Sequence, residues 1–233
     1  MKSKILINQF RGLGDILFCE PIARLFKEQG KTIIWPVVDE YIWLAEYIPY
    51  INFVRKSEFA FNYEALTFED PDTEYLPLRF ANPIFRGLHP HDYSDQYHCM
   101  LDKYRMLKLD ENLWRTLKWN RNEQKEKELF DKVVGDRKEY TLINKTWGGH
   151  ITNNDIQDDL NAVYCNYVDG YSMLDWAMIY ENAATIKTVS TSNLYMIEAL
   201  NVKADVFIYP RKPQENNLEG ISEFVNKKFN LMT

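Results

Sequence analysis

Gly12-Leu13-Gly14-Asp15 is where residue types and spacing point most directly to chemistry. Two glycines one residue apart let backbone come close to a ligand, and the aspartate behind them offers a proton acceptor or a helix cap. The loop follows an apolar run, Lys4 to Asn8, and opens a stretch of helical period. That is the position where phosphates meet the free N–H groups of a helix start, and Arg11 adds a cation to a phosphate-facing loop with Gly12 and Gly14. Leu17 stands where a dinucleotide fingerprint has its third glycine, and no Gly-Lys-Ser/Thr follows as in a P-loop. The acidic pair Asp39-Glu40 closes the next strand as a ribose-binding acid would. A Rossmann enzyme using NAD or S-adenosylmethionine therefore stays open as an alternative.

Other constellations carry less. Asp70-Pro71-Asp72 is formally an Asp-x-Asp, yet its acidic, turn-like surroundings (FEDPDTEY) suit a solvated loop. His89-x-His91 with His98 lacks the clustered Cys or carboxylate that would complete a metal site, so no metal is expected. Between Arg79 and Arg121 bases and aromatics interleave, among them Arg86, His89, His91, Lys103-Tyr104-Arg105, Trp114-Arg115 and Lys118-Trp119. Residues 79–127 carry ten Lys and Arg against seven Asp and Glu in a chain of net charge −6. Such a belt suits a phosphate backbone with stacked bases, a sugar-binding acceptor surface, or ordinary amphipathic faces.

The elements that must position these residues follow a strand–helix cadence. Lys4 to Asn8 reads as a buried parallel strand, and Ile16, Leu17, Ile22, Ala23, Leu25 and Phe26 as a helix stripe containing Pro21 and closed by Gly30. Thr32 to Val38, a short helix over 40–48, and Ile51 to Val54 continue the pattern. From Asn62 to Arg121 it blurs, with one helix from Asp95 to Leu107, and residues 122–134 form a charged helix. The alternation then restarts with Tyr140 to Asn144, Ala162 to Val168, a capping box at Ser172 opening a helix to Ala184, and Thr188-Val189. A helix from Leu194 to Leu200, a strand from Asp205 to Tyr209 and a closing helix over 217–229 complete it. Repeated βα units imply parallel sheets in two α/β halves with a hinge near 120–138.

The chain has 45% hydrophobic and 15% aromatic residues, enough for packed cores. Its apolar runs are strand-length, so no transmembrane segment is expected. Cys19, Cys99 and Cys165 are odd in number and widely spaced, as reduced thiols are, and no signal-peptide pattern opens the sequence; both suit a cytoplasmic protein.

The run Ile5 to Leu17 (ILINQFRGLGDIL), followed by Glu20-Pro21-Ile22-Ala23-Arg24-Leu25, resembles the opening of the lipopolysaccharide heptosyltransferases, glycosyltransferase family 9. The stretch from Ser172 to Leu200 is similar to that family's donor-binding segment, with Ser190 in place of its usual Asp, Ser192 in place of Gly and Tyr195 in place of His. The resemblance implies a GT-B-like α/β fold: two Rossmann-type parallel-sheet lobes with a cleft between them. Residues 1–135 would be the acceptor-binding lobe and 136–233 the nucleotide-sugar-binding lobe.

The resemblance further implies an inverting, metal-independent transfer from a UDP-, ADP- or GDP-sugar to a hydroxyl acceptor, with no separate cofactor. It puts the general base on Asp15, which can also cap its helix. Ser190, Thr191 and Ser192 would hold the diphosphate at a helix start. Lys145 and Thr146 match the family's phosphate loop by position, although Lys145 can equally be a surface lysine. Glu198 looks like the carboxylate that holds ribose, or a carboxylate facing water. Arg86, His89 and His91 are candidates for the acceptor, either a surface glycan or a modified DNA base of the bacteriophage kind. A non-catalytic nucleotide-binding module would keep Thr191 and Glu198 without needing Asp15.

Overall fold

The computed structural model describes residues 2–59, 70–79, 96–148, 151–211 and 229–232, the side chains of 96–99 excepted. They form two compact units, Met1–Asn120 and Arg121–Thr233, each with its own all-parallel sheet.

The first sheet runs in the order β3 (Asn52–Arg55), β2 (Thr32–Val37), β1 (Lys4–Ile7), β4 (Thr73–Leu76). β1 lies inside the sheet, and Ile5, Leu6 and Ile7 are all buried, as a strand covered on both faces requires. Helix α1 (Leu13–Glu28) follows it. Gly12 is its N-cap at φ 82°, and Gly30, also at φ 82°, ends it. The Lys31 N–H bonds back to the Phe26 carbonyl and the Gly30 N–H to that of Lys27, the paired bonds of a Schellman closure. Pro21 lies inside this continuous helix, with no break at it. After a short helix α2 (Leu44–Tyr47), helix α3 (Gln96–Met106) and the turn Glu111–Thr116 pack against α1. Phe18 is the hub, stacked on Trp114 and edge-on to Tyr104.

The fully buried Glu20 carboxylate, on the same helix, accepts from Arg24 Nε at 3.0 Å, the Lys118 N–H at 2.9 Å and the Tyr50 hydroxyl. Arg24 reaches on to the carbonyl and hydroxyl of Thr116. Burial raises the Glu20 carboxyl above its ordinary value, and these donors oppose the rise.

The second unit opens with helix α4 (Glu123–Val133), capped by Asn122. The boundary falls after Asn120, earlier than the expected 135. The reason is that α4 packs on the turn Met173–Trp176 and helix α5 (Ala177–Asn182), which lie late in the chain. Arg121 bridges Glu126 and Glu181, and Lys125 reaches the buried Asp175. The sheet order is β11 (Phe229–Leu231), β10 (Asp205–Tyr209), β9 (Thr185–Val189), β5 (Thr141–Asn144), β8 (Ala162–Tyr164). β6 (Thr146–Trp147) and β7 (Ile151–Thr152) make a small antiparallel hairpin, and helix α6 (Asn193–Ala199) follows β9.

The cadence expected from sequence is present in both units. β4 was not foreseen. Residues 217–228 of the expected closing helix lie outside the described residues, and Phe229 belongs to a strand instead. Among the described residues no helix is long and apolar enough to cross a membrane.

Candidate functional site

Both sheets change direction of growth beside their first strand. In the first unit the chain moves from β1 to β2 to β3, then returns to place β4 on the other side of β1. In the second it places β8 on one side of β5 and β9, β10 and β11 on the other. Crevices open at the carboxyl ends of strands at such points, and ligands bind there in parallel α/β sheets.

In the first unit that place is the loop from Asn8 to Asp15. Trp35 Nε1 donates to the Gln9 carbonyl at 2.8 Å, and the Val38 N–H donates to that of Phe10 at 2.9 Å, pinning the loop to β2. Phe10 carries Lys56 and Arg79 over its ring, 4.1 and 4.4 Å from the centroid. Arg11 is exposed, whereas Gly14 sits within the first turn of α1. Asp15 lies in that turn three residues past the N-cap, so it is not the capping residue; Gly12 is. Its carboxylate accepts from Lys103 Nζ at 2.7 Å through Oδ1. A Cβ on Gly12 would lie 2.6 Å from Oδ2, so only glycine lets the carboxylate take this place.

Lys103 was expected on a solvent-facing belt. It is fully buried, as are its neighbour Tyr104 and, nearly so, Trp114. Of the other belt cations, Arg105 is bound to Asp102 and Glu111, and Arg121 to Glu126 and Glu181. Arg86, His89 and His91 lie outside the described residues.

The Asp-x-Asp motif is structural. Asp70 bonds Lys4 and Asp72 bonds Ser3, clamping the amino ends of β1 and β4 together. The ammonium of Lys4 and two further donors hold the Asp70 carboxyl down at about 2. Asp39, the candidate ribose acid, accepts from Ser57 and pairs with Arg55. No metal-binding cluster of His, Cys, Asp or Glu occurs among the described residues.

In the second unit the carboxyl ends of β5, β8 and β9 border a pocket of ≈ 300 Å³. Its polar lining includes Asn144, Thr191, Ser192 and Asn193. Asn144 Nδ2 donates to Thr188 Oγ1 at 3.2 Å and to Thr191 Oγ1 at 3.3 Å, fixing the turn after β9 to the end of β5. Asn193 is 4% exposed, and its Nδ2 has no oxygen or nitrogen acceptor. It faces the Cys165 thiol, a weak acceptor that burial pushes up to about 11. The apolar walls include Trp147, Trp176, Met173 and Tyr171, and Tyr167, 85% exposed, stands at the rim. The capping box at Ser172 is present, its Asp175 carboxylate accepting from the Ser172 N–H at 2.7 Å and hydroxyl at 3.0 Å; it sets Met173 and Trp176 in place.

Of the residues expected to bind a donor, Thr146, Thr191 and Ser192 line this pocket. Ser190 is buried behind it, its N–H on the Tyr209 carbonyl. Lys145 is turned to Asp158, 2.5 Å away, and does not line it; nor does Glu198, in the last turn of α6. Asn144 and Asn193 escaped sequence reasoning because a single amide within an apolar run has no spacing signature. Gln9 and Lys103 escaped it because they meet across 94 positions of sequence.

No protein-family model and no curated protein sequence matches the chain. Solved structures do. A glycosyl transferase of family 9 from Veillonella parvula superposes with a TM-score of 0.57 at 10% identity, covering 99% of this chain and 86% of that one. The iron-containing dodecameric glycosyltransferase TibC from enterotoxigenic E. coli gives a TM-score of 0.52 at 12% identity, covering 90% of this chain. The chain spans 58% of the length of TibC. The protein thus has the GT-B-like fold of family 9 glycosyltransferases, two lobes each with a parallel sheet.

Proposed function

We propose that the protein is a glycosyltransferase whose second unit holds the nucleotide of a nucleotide-sugar donor and whose Asp15 accepts the proton of a hydroxyl acceptor. The observation that carries the reading is the pocket at the carboxyl ends of β5, β8 and β9. Its volume suits a nucleotide-sized ligand, aromatic and thioether walls suit a base, and hydroxyls and amides gathered at one side suit ribose and diphosphate oxygens. Thr191, Ser192 and the Asn193 amide, whose acceptor in the free protein is only a thiol, are the groups we assign to the diphosphate. Their hydrogen bonds would strengthen as charge builds on the departing phosphate, so in this reading protein donors stabilise the leaving group.

Asp15 fits the role of base because it is a carboxylate held at the carboxyl end of the first sheet, with its side chain 30% exposed. An aspartate attacking nothing itself but taking a proton implies direct displacement and an inverted anomeric centre. Between the two acceptor classes, the described belt favours a glycan. Its buried lysine and its ion-paired arginines are engaged within the protein, not presented to a phosphodiester backbone.

Two measurements test the reading. Calorimetric titration with UDP, ADP and GDP should show one of them binding in the micromolar range, and no binding by any of the three would end it. Asp15→Asn should abolish release of that nucleotide from its sugar conjugate while leaving its affinity within about twofold. Unchanged turnover in that variant removes Asp15 as the base.

A further inference from the structure

We infer that Lys103 is a positioning residue that fixes which oxygen of Asp15 takes the proton, an inference that rests on the reading of Asp15 as base. The Lys103 ammonium, with no solvent exposure, lies 2.7 Å from Asp15 Oδ1 and 3.2 Å from Gln9 Oε1, close to the Cys19 thiol. Asp15 and Gln9 thus engage two of the three N–H bonds of the ammonium. Asp15 and Cys19 are one turn apart on α1, and Gln9 comes from the end of β1. Gln9 is itself held by its Nε2 on the Arg11 carbonyl at 2.6 Å. The clamp therefore ties the catalytic loop, α1 and α3 at one point.

The carboxylate is constrained twice. Lys103 occupies Oδ1, and Oδ2 lies over the bare Cα of Gly12, where a Cβ would come to 2.6 Å. Rotation of the carboxylate would break the first contact, so Oδ2 is the oxygen left to work. In the transfer the acceptor oxygen forms its bond to the anomeric carbon as the bond from that carbon to the diphosphate oxygen breaks. The bonding pair leaves with the nucleoside diphosphate, and the acceptor proton passes to Asp15 Oδ2 and thence to solvent.

Stability alone does not account for a lysine here. Burying an ammonium is costly, and replacing buried ion pairs with apolar residues is often neutral or stabilising. Orientation is what an apolar residue could not supply.

The test uses the full chain with UDP-glucose, ADP-glucose and GDP-mannose as donors, reading nucleotide release, and calorimetry with the matching nucleotide. Lys103→Met should lower kcat about 100-fold, the size expected for a reacting group displaced by about 1 Å, with donor KM and nucleotide Kd within about twofold. Lys103→Arg, which keeps a cation, should retain at least about tenfold more turnover than Lys103→Met. Should the methionine variant lose its cooperative melting transition, Lys103→Gln is read in its place, with the same expectation. A kcat within about threefold of wild type overturns the inference, as does a change confined to KM. An inactive Asp15→Asn beside an active Lys103→Met defeats this inference alone. If the wild-type chain turns over none of the three donors, the proposed function fails first and this role falls with it.

Discussion

Asn193 gives the sharpest test of the pocket, because its state in the free protein sets the size of the effect. Asn193 is 4% exposed, and its Nδ2 meets the Cys165 thiol, a weak acceptor, rather than an oxygen. A buried donor without a partner costs about 1–3 kcal/mol relative to one that is satisfied. A ligand oxygen taking the place of the weakly accepting thiol recovers up to that amount on binding. Asn193→Ala removes both the cost and the recovery, so nucleotide Kd should rise by a factor of about 5 to 150 at 1.4 kcal/mol per decade. The free protein should scarcely suffer, since relief of a buried amide met only by a thiol offsets lost packing. The signature is therefore weakened binding without a matching fall in melting temperature. Calorimetry with whichever of UDP, ADP and GDP binds the wild type, alongside thermal melts, reads both quantities. A Kd within twofold of wild type would show that no ligand atom reaches Asn193, and the pocket assignment would lose its main support.

Gly12→Ala should cost about 1–2 kcal/mol of stability from φ 82° alone, seen in urea titration, and should cut turnover further by pushing on Asp15 Oδ2. A stable, fully active alanine variant would contradict the geometry of the loop. Glu20 makes a prediction in pH. Burial raises its carboxyl in the folded state above the ordinary 4.5, so its stabilising contribution is complete below that value and is lost as pH rises through the folded-state value. Urea midpoints measured upward from pH 4.5 should carry this falling contribution in the wild type, and Glu20→Gln should remove it. Identical pH profiles would mean that the carboxyl titrates alike in both states.

Much of the fold was legible because parallel strands buried on both faces read as unbroken apolar runs. Lys4 to Asn8 reads this way, Asp205 to Tyr209 reads as a short apolar strand ended by Pro210, and Gly30 marks a helix end through its need for positive φ. β4 was missed since Thr73-Glu74-Tyr75-Leu76 buries only its first and last residues. The second unit begins at Arg121, at the start of the hinge expected over 120–138, and that helix α4 belongs to it is hard to read, because its partners Glu181 and Asp175 lie some fifty residues onward. The loop at Asp15 and the turn at Thr191 could be located, since glycines and hydroxyls at strand–helix junctions leave a local mark. What each touches could not. Lys103 is chemically identical on a solvated face and in a core, and only the fold decides.

Charge in the pocket leads to a last prediction. The lining described here carries hydroxyls, amides, aromatics, a thiol and a thioether, while Lys145, at the end of β5, is held by Asp158 at 2.5 Å. If the diphosphate is met by neutral donors as the pocket stands, binding should be nearly flat in salt, changing by less than about twofold between 0.05 and 0.5 M NaCl, because screening acts on pairs of charges. A net charge of −6 repels an anionic ligand, so any trend should run toward slightly tighter binding as salt rises. The opposite slope, with affinity falling as salt rises, would mean that a cation joins the site when the nucleotide arrives. Lys145→Met then decides whether that cation is Lys145 leaving Asp158. A slope abolished in the variant would assign the lysine to the phosphate and overturn the neutral-donor reading, whereas wild-type binding already flat in salt would keep it paired with Asp158.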